Sequence, residues 1–159
     1  MFVMEVFMPN RSIELIGFKG YVVPTPSMKP IINPGDLIFV GKADLDALEA
    51  EDIITYYRDL NFDGKNETVT HAIRSITYEE GVRTFRTYGV NNTQDDAYTI
   101  TDEDIIGVYL FRIPWIGFII IFFKILTANP ILFGLILINV TIFIVLIKVL
   151  RKKPKEENQ

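Results

Sequence analysis

A chain of 159 residues is long enough for one modest domain. A net charge of −4 and a pI near 5.0 argue against a nucleic-acid partner, and the absence of cysteine excludes both a disulfide framework and a zinc–thiolate site. The mean hydropathy of +0.25 is high for a soluble protein, and the apolar excess lies in the last third of the chain.

Residues 1–112 read as a β-rich domain, because short runs of β-branched and aromatic residues alternate with turn residues. In chain order the expected strands are GYVVPT, DLIFVGK, DIITYYRD, TVTHAIRSITY and VRTFRTYGV. Between the first two lies NPGD, Asn33–Asp36, a turn in which Pro34 presets φ and Gly35 accepts a positive φ. DLDALEAED reads as a short helical turn, NFDGKN (Asn61–Asn66) as a hairpin-like loop and EEG (Glu79–Gly81) as a further turn.

The apolar run 113–126 is short for a full membrane span and suits the interface, where Trp115 fits an aromatic belt. Residues 130–150 supply about 20 mostly apolar positions, enough to cross a bilayer core. Asn139 and Thr141 are mildly costly there, while Lys148 can snorkel at the end. The basic stretch Arg151–Lys155 then puts the tail 151–159 in the cytoplasm and the β domain on the opposite face. Translocating such a domain ordinarily needs an N-terminal signal or anchor, and MFVMEVFM is too short for either. The expectation is an anchor upstream of Met1.

Three segments could carry chemistry. Ser27 stands between Pro26 and Pro30, which limit its backbone freedom, so a hydroxyl there loses little entropy on being held. His71 is the single histidine, and strand alternation places Val69, His71, Ile73 and Ser75 on one face. The polar stretch Tyr88–Ile100 supplies Asp95 and Asp96, either of which could accept the Nδ1–H of His71. Taken singly, a serine in a Pro-rich turn is most often a turn residue, a lone strand histidine is usually structural, and paired loop aspartates are usually solvated. Together they form a possible Ser–His–Asp set. One histidine and no cysteine leave only carboxylates for a metal, with no ligand-like spacing. The Asn-x-Ser/Thr matches, such as Asn66-Glu67-Thr68, are common by chance.

These stretches resemble the type I signal peptidases, specifically the endoplasmic-reticulum and archaeal branch. VVPTPSMKPIINPGDLIFV is similar to that family's nucleophile box, Ser-Met-x-Pro followed by a Gly-Asp turn and a hydrophobic strand. AEDIITYYRD resembles the strand after the box, VTHAIRSI the Thr-His-Arg-Ile box, and YGVNNTQDD the Lys-Gly-Asp-Asn-Asn-x-x-Asp-Asp box. IIGVYLFRIPWIGFI resembles the closing strand and membrane approach. The resemblance covers roughly residues 19–126. It departs from the family at Pro26 (usually Gly), Ala72 (commonly Arg), Tyr88 (Lys) and Val90 (Asp).

The resemblance implies a small signal-peptidase-like β domain with a C-terminal transmembrane helix, active without a cofactor. Ser27 matches the nucleophile and His71 the general base, in place of the lysine of the bacterial-type branch. Asp96 matches the acid that orients the histidine, with Asp95 as the fallback. The implied substrates are the signal peptides of exported precursor proteins, bound as an added strand. The implied location is the outer face of the cell membrane, or the lumenal face of the endoplasmic reticulum in a eukaryote. Two other readings are a dedicated processing peptidase of the same fold with one or few substrates, and a membrane-anchored β domain that binds peptides without cutting them.

Overall fold

The computed structural model describes residues 4–5, 13 and 17–151. Most of the expected tail 151–159, and most of the N-terminal stretch MFVMEVFM, lie outside the described residues. The chain separates into two compact units, Met1–Ile120 and Ile121–Gln159.

The first unit is built on one antiparallel sheet. Its strands are β1 (Met4–Glu5), β2 (Phe18–Val22), β3 (Leu37–Gly41), β4 (Ile53–Arg58), β5 (Glu67–Glu79), β6 (Val82–Tyr88), β7 (Thr99–Thr101) and β8 (Ile105–Ile113). Their order across the sheet is β1-β2-β3-β8-β4-β5-β6-β7. All five strands expected from β-branched and aromatic runs are present. The short β1 and β7 were not expected, and β8 was foreseen only through the family resemblance. β8 inserts between β3 and β4, so the closing strand becomes a central one.

The turns follow their residue chemistry. In NPGD the Asp36 N–H donates to the Asn33 carbonyl (3.1 Å) and Gly35 sits at φ +86°, as a turn with Pro at its second position and Gly at its third requires. β5 and β6 join through Glu80 and Gly81, both at positive φ, the two-residue geometry that matches strand twist. The expected helical turn in DLDALEAED is a 3₁₀ turn at Leu45–Ala47, capped by the Asp44 side chain.

The sheet buries apolar side chains on both faces. Tyr21, Val23, Met28, Ile32, Ile38, Val40, Ala72 and Tyr88 form one cluster. Leu48, Ile54, Tyr56, Val69, Ile73, Phe85 and Ile100 form the other. Adjacent β5 residues Ala72 and Ile73 thus pack on opposite sides, as strand alternation dictates.

That alternation does not persist along β5. Ala72 pairs with Tyr88 and Ile73 with Thr87, but Ser75 then pairs with Arg86 and Ile76 with Phe85. Arg74 is the extra residue of a β-bulge. Ser75 therefore leaves the face expected for it, and Ile76 packs against the cluster of Val69 and Ile73 instead.

Beyond β8, the run 113–126 is not one element. It comprises a strand end, a turn at Pro114 and Trp115, and then helix α1 (Ile116–Ala128). Helix α2 (Pro130–Arg151) has 22 residues, a mean hydropathy of 2.8 in its most apolar window and no buried residue in that window. By length and composition it can cross a membrane. Pro130 opens it at the first helical position, where a missing N–H costs nothing. The Asn139 amide and Thr141 hydroxyl each donate to the carbonyl four residues back, both at 2.8 Å. Their polar groups are thus satisfied within the helix, which lowers the cost expected of them in lipid.

Candidate active site

Ser27 lies in the connection from β2 to β3, which covers the first core cluster. Met28 and Ile32 are fully buried there, while Ser27 is half-buried and Pro26 exposed. Two backbone bonds close the turns, Lys29 N–H to the Pro26 carbonyl and Ile32 N–H to the Met28 carbonyl, both at 3.0 Å. Buried Met28 and Ile32 therefore pin the segment from below and leave the hydroxyl of Ser27 at its surface.

The segment's far end is pinned by Asp36. This carboxylate is buried, and its Oδ2 accepts from the Asn33 N–H (2.8 Å) and from Arg112 of β8. A Cβ at Gly35 would stand 2.0 Å from the Phe118 ring, so only glycine fits there. The Gly117 N–H donates to the Gly35 carbonyl at 2.9 Å. The other dock is at the end of β6, where the Asn91 N–H donates to the Ser27 carbonyl at 2.7 Å. A Cβ at Gly89 would come within 2.8 Å of that carbonyl oxygen, so the close approach needs glycine.

His71 lies in β5 opposite Ile54 of β4 and is 4% exposed. Its Nε2 is 3.3 Å from the Ser27 Oγ, and its Nδ1 is 2.6 Å from the Asp96 Oδ2. Serine, imidazole and carboxylate thus stand in one line, brought together from three segments. Asp95, the alternative acid, points elsewhere: its Oδ1 accepts from Arg74 Nε at 3.1 Å.

Asp96 is held by more than the histidine. Its Oδ2 also accepts from the Thr87 hydroxyl (2.6 Å) and the Tyr56 hydroxyl (3.3 Å), and its N–H donates to the Thr87 carbonyl (2.9 Å). Tyr56 bonds in turn to Thr87 (3.0 Å) and Tyr98 (3.2 Å). Burial keeps the Tyr56 phenol protonated by raising its pKa far above the ordinary range, and the nearby Tyr98 and Asp96 push the same way.

The charge states follow from this environment. Burial lowers the His71 pKa from its ordinary 6.5, and this outweighs the hydrogen bond that its ring donates to Asp96, which raises it. Burial pushes the Asp96 pKa up, but the hydrogen bonds of His71 and Thr87 hold it below its ordinary 3.8. At neutral pH the imidazole is neutral and the carboxylate ionised. A neutral imidazole beside a hydroxyl can take its proton.

Sequence reasoning missed several residues here. Tyr56 and Thr87 carry no sequence signal beyond strand membership, because their contact with Asp96 depends on β4, β5 and β6 lying side by side. Among the described residues the buried Thr25 hydroxyl finds no hydrogen-bond partner. Its place two residues before Ser27 was visible, but its burial was not. Val90 packs against the first cluster, which suits an apolar residue where the box it resembles has aspartate.

No protein-family model matches the chain. Over 102 residues, 63% of the chain, it is 33% identical to signal peptidase I W of Bacillus subtilis (strain 168), of which the match spans 51%. Over 119 residues, 69% of the chain, it is 31% identical to the signal peptidase complex catalytic subunit SEC11 of Leptosphaeria maculans, of which the match spans 64%. The chain thus spans about half of one relative and somewhat less than two thirds of the other. Both matches point to the signal peptidases as its relatives.

Proposed function

We propose that this chain is a membrane-anchored serine endopeptidase that removes signal peptides from exported precursors, using Ser27, His71 and Asp96. The observation that carries this reading is the line from Ser27 Oγ through His71 to Asp96 Oδ2, with contacts of 3.3 and 2.6 Å, in a chain similar to two signal peptidases.

In the proposed cycle Ser27 Oγ attacks the scissile carbonyl as its proton passes to His71 Nε2. Asp96 holds the imidazole by its Nδ1–H and stabilises the imidazolium that forms. The oxyanion accepts from the Ser27 N–H. Collapse of the tetrahedral intermediate expels the new amine, which takes the proton from His71 and leaves an ester on Ser27. Water, deprotonated by His71, then hydrolyses the ester. The precursor lies extended beside the sheet. The apolar α2, with the basic residues that follow it, keeps the β domain on the outer or lumenal face of its membrane.

The test is cleavage of a synthetic precursor by the intact chain in detergent, with products identified by mass. Ser27→Ala and His71→Ala are each expected to abolish turnover and to leave the circular dichroism unchanged. Cleavage at the wild-type rate by Ser27→Ala would overturn the assignment.

A further inference from the structure

The segment that carries Asp96 is the least enclosed part of the site. Residues 91–95 are all exposed. Its backbone ties to the rest of the fold are the Asn91 bond to Ser27 and the Asp96 bond to Thr87. Something must keep Asp96 against His71 against the entropy of a solvated loop.

Arg74, the extra residue of the β5 bulge, lies where such a tie would be placed. Its guanidinium carbon is 3.5 Å from the centroid of the Tyr88 ring, its Nε donates to Asp95 at 3.1 Å, and its Nη1 is 3.9 Å from Glu51. The Tyr88 hydroxyl donates to the same Glu51 carboxylate. Tyr88 directly follows Thr87, which bonds Asp96, and Asp95 directly precedes Asp96. Arg74 therefore holds one neighbour of the acid's anchor, Tyr88, and one neighbour of the acid itself, Asp95. It does so from the strand of His71, three residues further on.

Arg74 stands beside the Ala72–Tyr88 pair, and its guanidinium lies over the Tyr88 ring while its Nε reaches Asp95. The backbone there is fastened independently, Ile73 N–H to the Asp52 carbonyl and Glu51 N–H to the Ile73 carbonyl, both at 2.8 Å. The guanidinium works from a rigid base, with a planar fork that bonds and stacks at once.

We infer that Arg74 is a positioning residue: through Asp95 and Tyr88 it clamps the acid-bearing segment to β5 and keeps Asp96 on His71. This rests on the proposed catalytic set, but its consequence for the His71–Asp96 bond does not depend on turnover. As a surface ion pair Arg74–Asp95 contributes little to stability. Its effect is expected in geometry and hence in kcat.

The chain has one histidine, so the ring signals of nitrogen-15 histidine-labelled protein in detergent belong to His71. The wild type should show a downfield, slowly exchanging Nδ1–H. In Arg74→Ala and in Asp95→Asn that signal should move upfield and exchange faster. Under the cleavage assay kcat should fall about tenfold with KM little changed. Arg74→Lys, which keeps the charge but loses the fork and the stack, should fall between. The double variant should be no worse than the worse single, because one clamp is removed twice. An unchanged His71 signal in both single variants, or a double variant whose losses multiply, would overturn the assignment. Should Arg74→Ala fail to fold, Asp95→Asn still decides. If the wild type cleaves no precursor, the proposed function fails and the His71 signal still tests the clamp.

Discussion

The two segments that meet at His71 are held in opposite ways. The connection 23–36, which carries Ser27, is anchored by burial: Val23, Met28 and Ile32 lie in the core, and Asp36 is sealed beneath Arg112. The segment 91–97, which carries Asp96, is mostly exposed and hangs on polar ties to Thr87, Tyr56 and, through Asp95, Arg74. Apolar burial is strong but indifferent to small shifts, whereas hydrogen bonds are weaker and directional. Damage to the first segment should therefore register as lost stability, and damage to the second as lost rate.

The sharpest test removes the acid. Asp96→Asn should lower kcat about 10⁴-fold, by analogy with triads whose acid is replaced by its amide, with little change in the unfolding midpoint. A large loss of stability here would break the comparison. Next, Met28→Ala on the buried segment should destabilise the β domain by about 2–5 kcal/mol in denaturant unfolding. Remaining folded molecules should keep a kcat close to wild type.

Val90→Asp should cost about 1–3 kcal/mol, because it places a carboxylate against the first apolar cluster. Ala72 lies in the same cluster. The three positions where the chain lacks the charged residues of the boxes it resembles, Ala72, Tyr88 and Val90, thus share one apolar environment. Pairing Val90→Asp with Ala72→Arg should cost less than the sum of the singles, as a double-mutant cycle will show.

The smallest effects concern the polar ties and pH. Thr87→Val should lower kcat about tenfold by removing one hydrogen bond to the Asp96 carboxylate. The lowered pKa of His71 means the unfolded chain binds a proton more readily than the folded one. Stability from this group is complete above the ordinary value of 6.5 and is lost as pH falls from there toward the folded-state value. Unfolding midpoints of the wild type should therefore drop across that window more than those of His71→Gln. Activity should fall on the acid side only below 6.5, where the imidazole in the site gains its proton.

Much of this arrangement is legible in the chain. Runs of β-branched and aromatic residues between turn residues marked β2 to β6, and Asn33-Pro34-Gly35-Asp36 marked a turn that formed as its residues require. The resemblance named Ser27, His71 and Asp96, and the fold brings them within hydrogen-bond reach. The bulge at Arg74 was not legible, because it depends on the register between two strands and not on either alone. For the same reason Ser75 was expected on the wrong face. Tyr56 and Thr87 look like ordinary strand residues until their strands are laid side by side.

Local chemistry and patterning determined which segments are strands, where the turns fall, and that one C-terminal helix is apolar enough for a membrane. Those are short-range consequences of backbone sterics and of the cost of exposing apolar surface. Tertiary structure decided which of two neighbouring aspartates faces the histidine, which threonine bonds the acid, and which arginine reaches the acid's loop. These choices turn on shifts of one residue in register. Only packed strands set that register, because a slip by one residue sends a side chain to the opposite face.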